Sequence, residues 1–145
     1  MKSILDAKLL AADAAHAMVQ AALQAGRDMG VAMNCAVVDA GGNLLAFLRE
    51  PGAPLHSIDI AIDKAHTAAS FRCDTEALYA AIEEPASVRD GILARPRLAA
   101  FGGGLPIQVD GYFVGGIGVS GGSKDQDILC ARAGLDVLTS SPSQI

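Results

Sequence analysis

Two pairs of short apolar runs, each joined by a glycine-containing turn, constrain the fold of this chain more than any other feature. One turn is Ala40-Gly41-Gly42-Asn43 and the other is Asp110-Gly111. An Asp-Gly step between alternating apolar runs is a strong signal for a two-residue type I′ hairpin. The sequence therefore predicts two β-hairpins, with strands at 31–39, 44–49, 105–109 and 112–119.

Helical periodicity fills most of the remaining chain. Gly30 is predicted to end the first helix, and Ser123 and Gln126 stand at capping-box spacing before the last. A third helix is expected to start behind a cap at Asp74 or Thr75. Residues 86–104 indicate a long loop with one short helical or strand turn, and 139–145 a frayed tail. The predicted helices span 3–29, 57–71, 75–84 and 123–138.

The order of these elements predicts the fold class. The chain gives helix, hairpin, two helices, hairpin and helix. Strands that arrive as hairpins favour one central antiparallel sheet with helices packed on it, an α+β fold, over a doubly wound parallel sheet. A chain of 145 residues is the size of one domain. We therefore predict a single domain over residues 1–145.

Composition narrows the partners and the compartment. The net charge is −5, with no basic run that could follow a phosphate backbone, so nucleic acid is not an expected partner. Asp6, Lys8, Asp13 and His16 interrupt the N-terminal apolar residues, so neither a signal peptide nor a membrane span is expected. The three cysteines form no Cys-x-x-Cys pair. These features predict a cytoplasmic protein.

The apolar content predicts a homo-oligomer. Hydrophobic residues make up 51% of the chain, and there is no tryptophan. Alanine is the most frequent of these residues, and its small side chain permits close packing of helices. Part of the apolar surface is therefore expected to lie between subunits.

The stretch from Gly116 to Gly122 matches two catalytic patterns, and neither fits the rest of the chain. The dinucleotide pattern needs a further parallel strand after the following helix, and the chain ends there. The nucleophile-elbow pattern at Ser120 needs a later histidine, and none follows His66. Closely spaced glycines instead allow a close approach to the strand by a helix, a neighbouring subunit or a flat ligand. Gly116 and Gly118 are therefore candidate cofactor contacts.

The second predicted helix carries a polar stripe. Asp59, Asp63, His66 and Ser70 share one helical face. Asp59, Asp63 and His66 could bind a divalent metal, and Asp63 with His66 could form an acid–base pair. The alternative is a solvated face with an ion pair between Asp63 and His66. Lys64 lies off this stripe, where it could extend along apolar neighbours or meet an anionic ligand at the edge of a pocket.

All three histidines are candidate ligands of a cofactor. His16 borders an apolar stripe of leucines and alanines, a setting that suits a flat macrocycle such as haem, although a core-edge histidine is the simpler interpretation. His56 lies at the junction after Pro54, and His66 belongs to the polar stripe. Spacing alone does not choose among the three.

Five ordered motifs extend over nearly the whole chain. They are Ala53-Pro54-Leu55, the segment Ser57 to Ala68 with Lys64 and Thr67, Gly103 to Ile107, Asp110-Gly111, and Gly115 to Gly122 with Asp127 and Ala131 beyond. Together they resemble the GlcG/HbpS-like family, which includes the C-terminal domain of PduO-type corrinoid adenosyltransferases. The resemblance implies a profilin-like α+β fold, homo-oligomers, and haem or corrinoid binding in some members.

Three functions follow from these observations. The first is a cytoplasmic, oligomeric haem- or tetrapyrrole-binding accessory protein of a small-molecule catabolic pathway, with His16, His56 or His66 as ligand. The second is a small enzyme of isomerase, lyase or hydrolase type, in which Lys64 holds an anionic intermediate and His66 or Asp63 moves a proton. The third is a subunit-assembly protein without a ligand. Besides haem, a corrinoid or a divalent metal is considered as cofactor.

Overall fold

The computed structural model describes residues 1–140 and places four strands in one antiparallel sheet. The two predicted hairpins are confirmed, and the pairing of β1 with β4 joins them into a sheet of order β2-β1-β4-β3. Asp110 and Gly111 have φ angles of 51° and 80°, as a type I′ turn requires. The strands are β1 (Asn34–Asp39), β2 (Leu44–Arg49), β3 (Gly104–Val109) and β4 (Tyr112–Ser120).

Five helices accompany the sheet within residues 1–140, which confirms the α+β class. The capping box before the last helix also forms. The Ser123 backbone N–H donates to Gln126 Oε1 at 2.9 Å, and the Gln126 N–H donates to Ser123 Oγ at 3.2 Å. The helices are α1 (Ala12–Asp28), α2 (His56–Phe71), α3 (Thr75–Ile82), α4 (Ala86–Leu93) and α5 (Lys124–Ser140).

The two faces of the sheet are covered differently. On one face, α1 and α5 pack against large apolar side chains of the strands, such as Val37, Ile107 and Ile117. On the other face, α2 packs against Ala36 and Val38 through its own alanines. Successive residues of β1 therefore point into two different cores, one built from bulky side chains and the other from small ones.

The prediction that the first helix begins at residue 3 is wrong. The helix α1 begins at Ala12, and residues 1–11 are not helical. Ile4, Leu5 and Leu9 are 84, 78 and 82% exposed, so no packed face stabilises a helix there. Helix propensity alone is marginal without such packing, which explains the difference.

Two further differences concern the C-terminal half. The segment predicted as mainly loop contains α4, which has no buried residue and therefore little hydrophobic periodicity for a sequence to show. Residues 139 and 140 belong to α5, and the rest of the predicted frayed tail, 141–145, lies outside the described residues. Among residues 1–140, none of the helices has the length and apolarity needed to cross a bilayer.

Asp39 closes the turn between β1 and β2. Its Oδ1 accepts the N–H of Gly41 at 2.8 Å and that of Asn43 at 2.9 Å. The hydrogen bond from the Asn43 backbone is the main reason that the pKa of Asp39 lies below its usual 3.8. A carboxyl whose pKa is lowered by folding stabilises the fold above its unfolded pKa, and this stabilisation is lost as the pH falls through the folded pKa.

We expect Asp39→Ala to lower the free energy of unfolding by about 1 kcal/mol at neutral pH, a modest value because the turn is exposed to water. Urea denaturation at about pH 7 and about pH 3 would measure it, and the difference from wild type should shrink at the lower pH. Asp39→Asn keeps an acceptor without the charge and should fall between the two proteins. A difference that does not depend on pH would contradict the assigned role of the charge.

Candidate functional site

Lys64 is the largest fully buried side chain in the described chain, with 0% exposure. Its Nζ donates to Asp127 Oδ2 at 2.8 Å and to the Val119 carbonyl oxygen at 2.9 Å. The centroid of the Phe101 ring lies 4.7 Å from the same atom. Lys64 is on α2, Val119 on β4 and Asp127 on α5. One ammonium group therefore links helices from the two faces of the sheet to each other and to the end of β4.

Burial dominates the electrostatics of this pair. It lowers the pKa of the Lys64 ammonium and raises the pKa of the Asp127 carboxyl, and each partner opposes the effect of burial on the other. Asp127 Oδ1 also accepts the Gly122 N–H at 2.9 Å. Taking two charges out of water costs several kcal/mol per ion, which only a complete set of contacts offsets. The arrangement is therefore that of a structural ion pair.

This geometry corrects the predicted placement of Lys64. The side chain neither extends along the surface nor reaches the edge of a pocket, because it is enclosed and already paired. Gly103 makes room for it, since a Cβ at that position would lie 2.7 Å from Nζ. An anionic substrate has no access to this ammonium, so the proposed enzymatic use of Lys64 finds no support here.

A helix, the first of the three groups predicted to approach Gly116 and Gly118, packs against both glycines. A Cβ on Gly118 would collide with the backbone of Ala61 and Ala65, and one on Gly116 would lie 3.0 Å from the Ala69 nitrogen. The group that approaches the glycine strand is thus α2 itself. No space for a flat ligand is left between this strand and α2.

The polar stripe on α2 exists as predicted, but it does not form a metal site. Asp59 and Ser70 are exposed, while Asp63 and His66 are half-buried. Nowhere in residues 1–140 do three His, Cys, Asp or Glu side chains come together in a way that could hold a metal ion. Burial, helped by repulsion from Asp59, raises the pKa of Asp63, and Arg97 and His66 oppose this change. The predicted ion pair between Asp63 and His66 does not form within the described residues.

His66 stands between two adjoining cavities, which we call the His66 groove. The first has a volume of about 250 Å³ and is lined by Gly41, Gly42, His66, Ser70, Arg72 and Phe113, among others. The second, of about 210 Å³, shares His66 and Ser70 and adds Arg95 and Arg97 from the segment after α4. The Cδ2–Nε2 edge of the imidazole lies closest to Gly42, where a Cβ would come within 2.8 Å of His66 Cδ2.

Two arginines of the groove have an unusual backbone. Arg72 and Arg97 have φ angles of 52° and 61°, in the left-handed region that glycine favours. A side chain held there costs about 1–2 kcal/mol. The Arg72 guanidinium carbon lies 4.5 Å from the centroid of the Phe113 ring. The Thr67 hydroxyl donates to the Arg97 carbonyl at 3.2 Å, so α2 fixes the backbone that presents Arg97.

The other two histidines lie apart from the groove. His16 is exposed on α1, and His56 is exposed as the first residue of α2 beside Leu55, which is 72% exposed. Neither ring makes a hydrogen bond to another described residue. The structure therefore does not bring the three histidines into one site.

The sequence interpretation missed Asp127, Arg72 and Arg97 as residues of interest. Asp127 was visible as part of a motif, but its position in the first turn of a helix concealed its pairing with a lysine 63 positions away. Nothing in a single sequence marks a non-glycine residue for the left-handed region. Arg95 and Arg97 lie near His66 only because the segment after α4 folds against α2, and the sequence alone does not predict that contact.

The family model for "Haem degrading protein HbpS-like" matches residues 10–136. The chain belongs to this family. A relative from Citrobacter freundii, described as an uncharacterized 15.0 kDa protein in the dhaT-dhaS intergenic region, is 39% identical over 124 residues. That match covers 85% of this chain and 87% of the relative.

Solved structures agree with this membership. The crystal structure of Klebsiella pneumoniae protein ORFY is 32% identical, with a TM-score of 0.91, and the match covers 98% of this chain and 99% of that one. A PduOC:heme complex is 28% identical, with a TM-score of 0.82, and the match covers 94% and 100% of the two chains. The GlcG/HbpS-like fold predicted from the motifs is confirmed.

Proposed function

We propose that this protein is an accessory protein that binds haem through a surface histidine, with a second copy of the chain completing the enclosure. The observation that carries the proposal is the similarity over 94% of the chain to the protein of the PduOC:heme complex. Because that complex contains haem, we propose haem in place of a corrinoid. Service in a small-molecule catabolic pathway stays a prediction.

The donor groups of the chain fit a haem ligand. An axial imidazole must offer a nitrogen that no other group occupies. His16 and His56 meet this condition within the described chain, because both rings are exposed and neither is hydrogen-bonded there. A bound haem would supply the iron that such a nitrogen coordinates.

The shape of a single copy supplies only part of a haem site. The two cavities of the His66 groove, at about 250 and 210 Å³, fall below the range of about 300–1,000 Å³ that drug-sized ligands occupy. The groove is also lined by arginine and serine, which suit an apolar macrocycle poorly. We therefore favour His16 or His56 over His66 as the haem ligand.

A homo-oligomer would complete the apolar enclosure. The exposed side chains of Ile4, Leu5 and Leu9 form an apolar strip on the N-terminal segment that no part of the described chain covers. Exposed apolar surface of this kind is typical of subunit contacts. Cys35 and Cys130 are free thiols in the core, which fits the reducing cytoplasm that we propose as the location.

A haemin titration of the purified apo-protein tests this function. We expect a saturable Soret change with a fixed haem-to-chain ratio, lost in His16→Ala or His56→Ala and kept in His66→Ala. The loss should be large, since removing the axial ligand leaves only apolar contact to hold the macrocycle. Sedimentation of the same samples would report whether the haem complex is oligomeric.

The three histidine variants serve as controls for one another, since each removes one imidazole from the same chain. Weak, unsaturable binding by wild type would overturn haem binding. A Soret band that survives in all three variants would overturn ligation by histidine.

A further inference from the structure

We propose that the His66 groove binds a small carboxylate, held by His66, Ser70, Arg72 and Arg97. The proposal does not depend on haem binding, because the histidines favoured for haem, His16 and His56, lie outside the groove.

The groove collects hydrogen-bond donors that no other group uses. The side chains of His66, Ser70 and Arg72 make no hydrogen bond to another residue among 1–140, and the same holds for Arg97. The position of the Arg72 side chain is nevertheless fixed, because its guanidinium carbon lies 4.5 Å from the centroid of the Phe113 ring. A planar guanidinium fixed on an aromatic ring presents its free N–H groups in the geometry that a carboxylate accepts.

The backbone angles of the two arginines bear on their function. Of the three non-glycine residues with positive φ in the described chain, two are Arg72 and Arg97, and both border this groove. Glycine would adopt these angles without strain. Arg72 has this conformation as the residue that ends α2, which is a common way for a helix to end, so Arg97 is the residue whose strain indicates a role in binding.

The charge balance favours an anion despite the acidic chain. The acidic residues near the groove are Asp39, Asp59 and Asp63, and none of them lines either cavity. Asp39 is engaged by the amides of its own turn, and Asp63 is half-buried with Arg97 beside it. The carbonyl groups that end α2 add partial negative charge. Arg72, Arg95 and Arg97 line the cavities themselves, which leaves the groove locally positive in a chain of net charge −5.

The size of the groove selects a small ligand. Its cavities, at about 250 and 210 Å³, suit an acid of few atoms better than an extended molecule. Carboxylates have two sources, a free small acid and the propionates of a bound haem. The experiment separates them by using succinate and haemin as different probes.

The test is a ¹H–¹³C spectrum of the histidine rings during titration with sodium succinate, against sodium chloride at equal ionic strength. The chain has three histidines, so each ring signal can be assigned by single substitution. We expect a saturable shift of the His66 signals while those of His16 and His56 stay in place. Haemin that displaces succinate from the groove would identify a propionate as the carboxylate.

Substitution by glycine separates binding from stability. Arg72→Gly and Arg97→Gly remove the side chain and relieve the strained backbone, so the melting temperature should stay within about 3 °C of wild type. Each should weaken succinate binding by at least about tenfold, the expected effect of losing one charged, two-point contact. Arg132→Ala is the matched control, since it removes an exposed arginine from α5, outside the groove.

Three results would overturn the proposal. The first is a His66 signal that follows ionic strength alone. The second is undiminished succinate binding in both glycine variants. The third is tighter binding of inorganic phosphate than of succinate, which would replace the carboxylate with a tetrahedral anion.

Discussion

Lys64→Met should lower the free energy of unfolding by about 3–5 kcal/mol. The substitution keeps a long unbranched side chain but leaves the Asp127 carboxylate, 4% exposed, without its cation. Since a domain is stable by only about 5–15 kcal/mol in total, much of the stability margin would disappear. Chemical denaturation of the purified variant would measure the loss.

The double variant Lys64→Met with Asp127→Leu tests the cause. Replacing both members of a buried ion pair by apolar groups of similar size is often neutral or stabilising, so most of the loss should be recovered. Lys124→Met is a matched control, because Lys124 and Glu76 also pair at 2.8 Å but with side chains 53% and 45% exposed. This variant should change stability little. If Lys64→Met behaved like Lys124→Met, the buried pair would not be what joins α2 to α5.

Gly118→Ala should lower the free energy of unfolding by about 3 kcal/mol or more. The added methyl group would meet the backbone of α2 at Ala61 and Ala65, which cannot turn aside as a side chain can. The helix would have to move away from the sheet along its length. Thermal and urea denaturation would give the size of the effect.

Gly91→Ala supplies the control for this substitution. Gly91 lies on α4, is exposed, and has nothing within 4 Å of the position of a Cβ. Alanine is favoured over glycine within a helix, so this variant should gain about 0.5–1 kcal/mol. Equal effects of the two substitutions would show that α2 does not rest directly on the glycines of β4.

The parts of the fold that the sequence predicted are those determined by local chemistry. The Asp110-Gly111 turn and the Ser123–Gln126 capping box depend on residues within a few positions, and both form. Helix α1 was overextended because helical composition continues through residues 1–11, although no surface lies there to pack against. Local propensity yields to tertiary packing at this point.

The candidate site was less predictable because it depends on contacts between distant parts of the chain. The helical projection placed His66, Asp63 and Ser70 on one face, and that face exists. The same projection gave Lys64 an accessible position, since it takes no account of α5 returning to cover that side. Arg97 reaches the groove only through the course of the segment after α4, which no periodicity describes.

The contrast between the two faces of the sheet implies that the two cores are stabilised by different interactions. The bulky core under α1 and α5 derives its stability from apolar area removed from water, which persists when a protein swells. The layer under α2 has little such area, and it depends on dispersion between atoms in direct contact, which declines steeply with distance. In a molten globule of this chain, α2 would therefore be the first layer to come loose, and the groove at its end would vanish while the rest of the secondary structure survived.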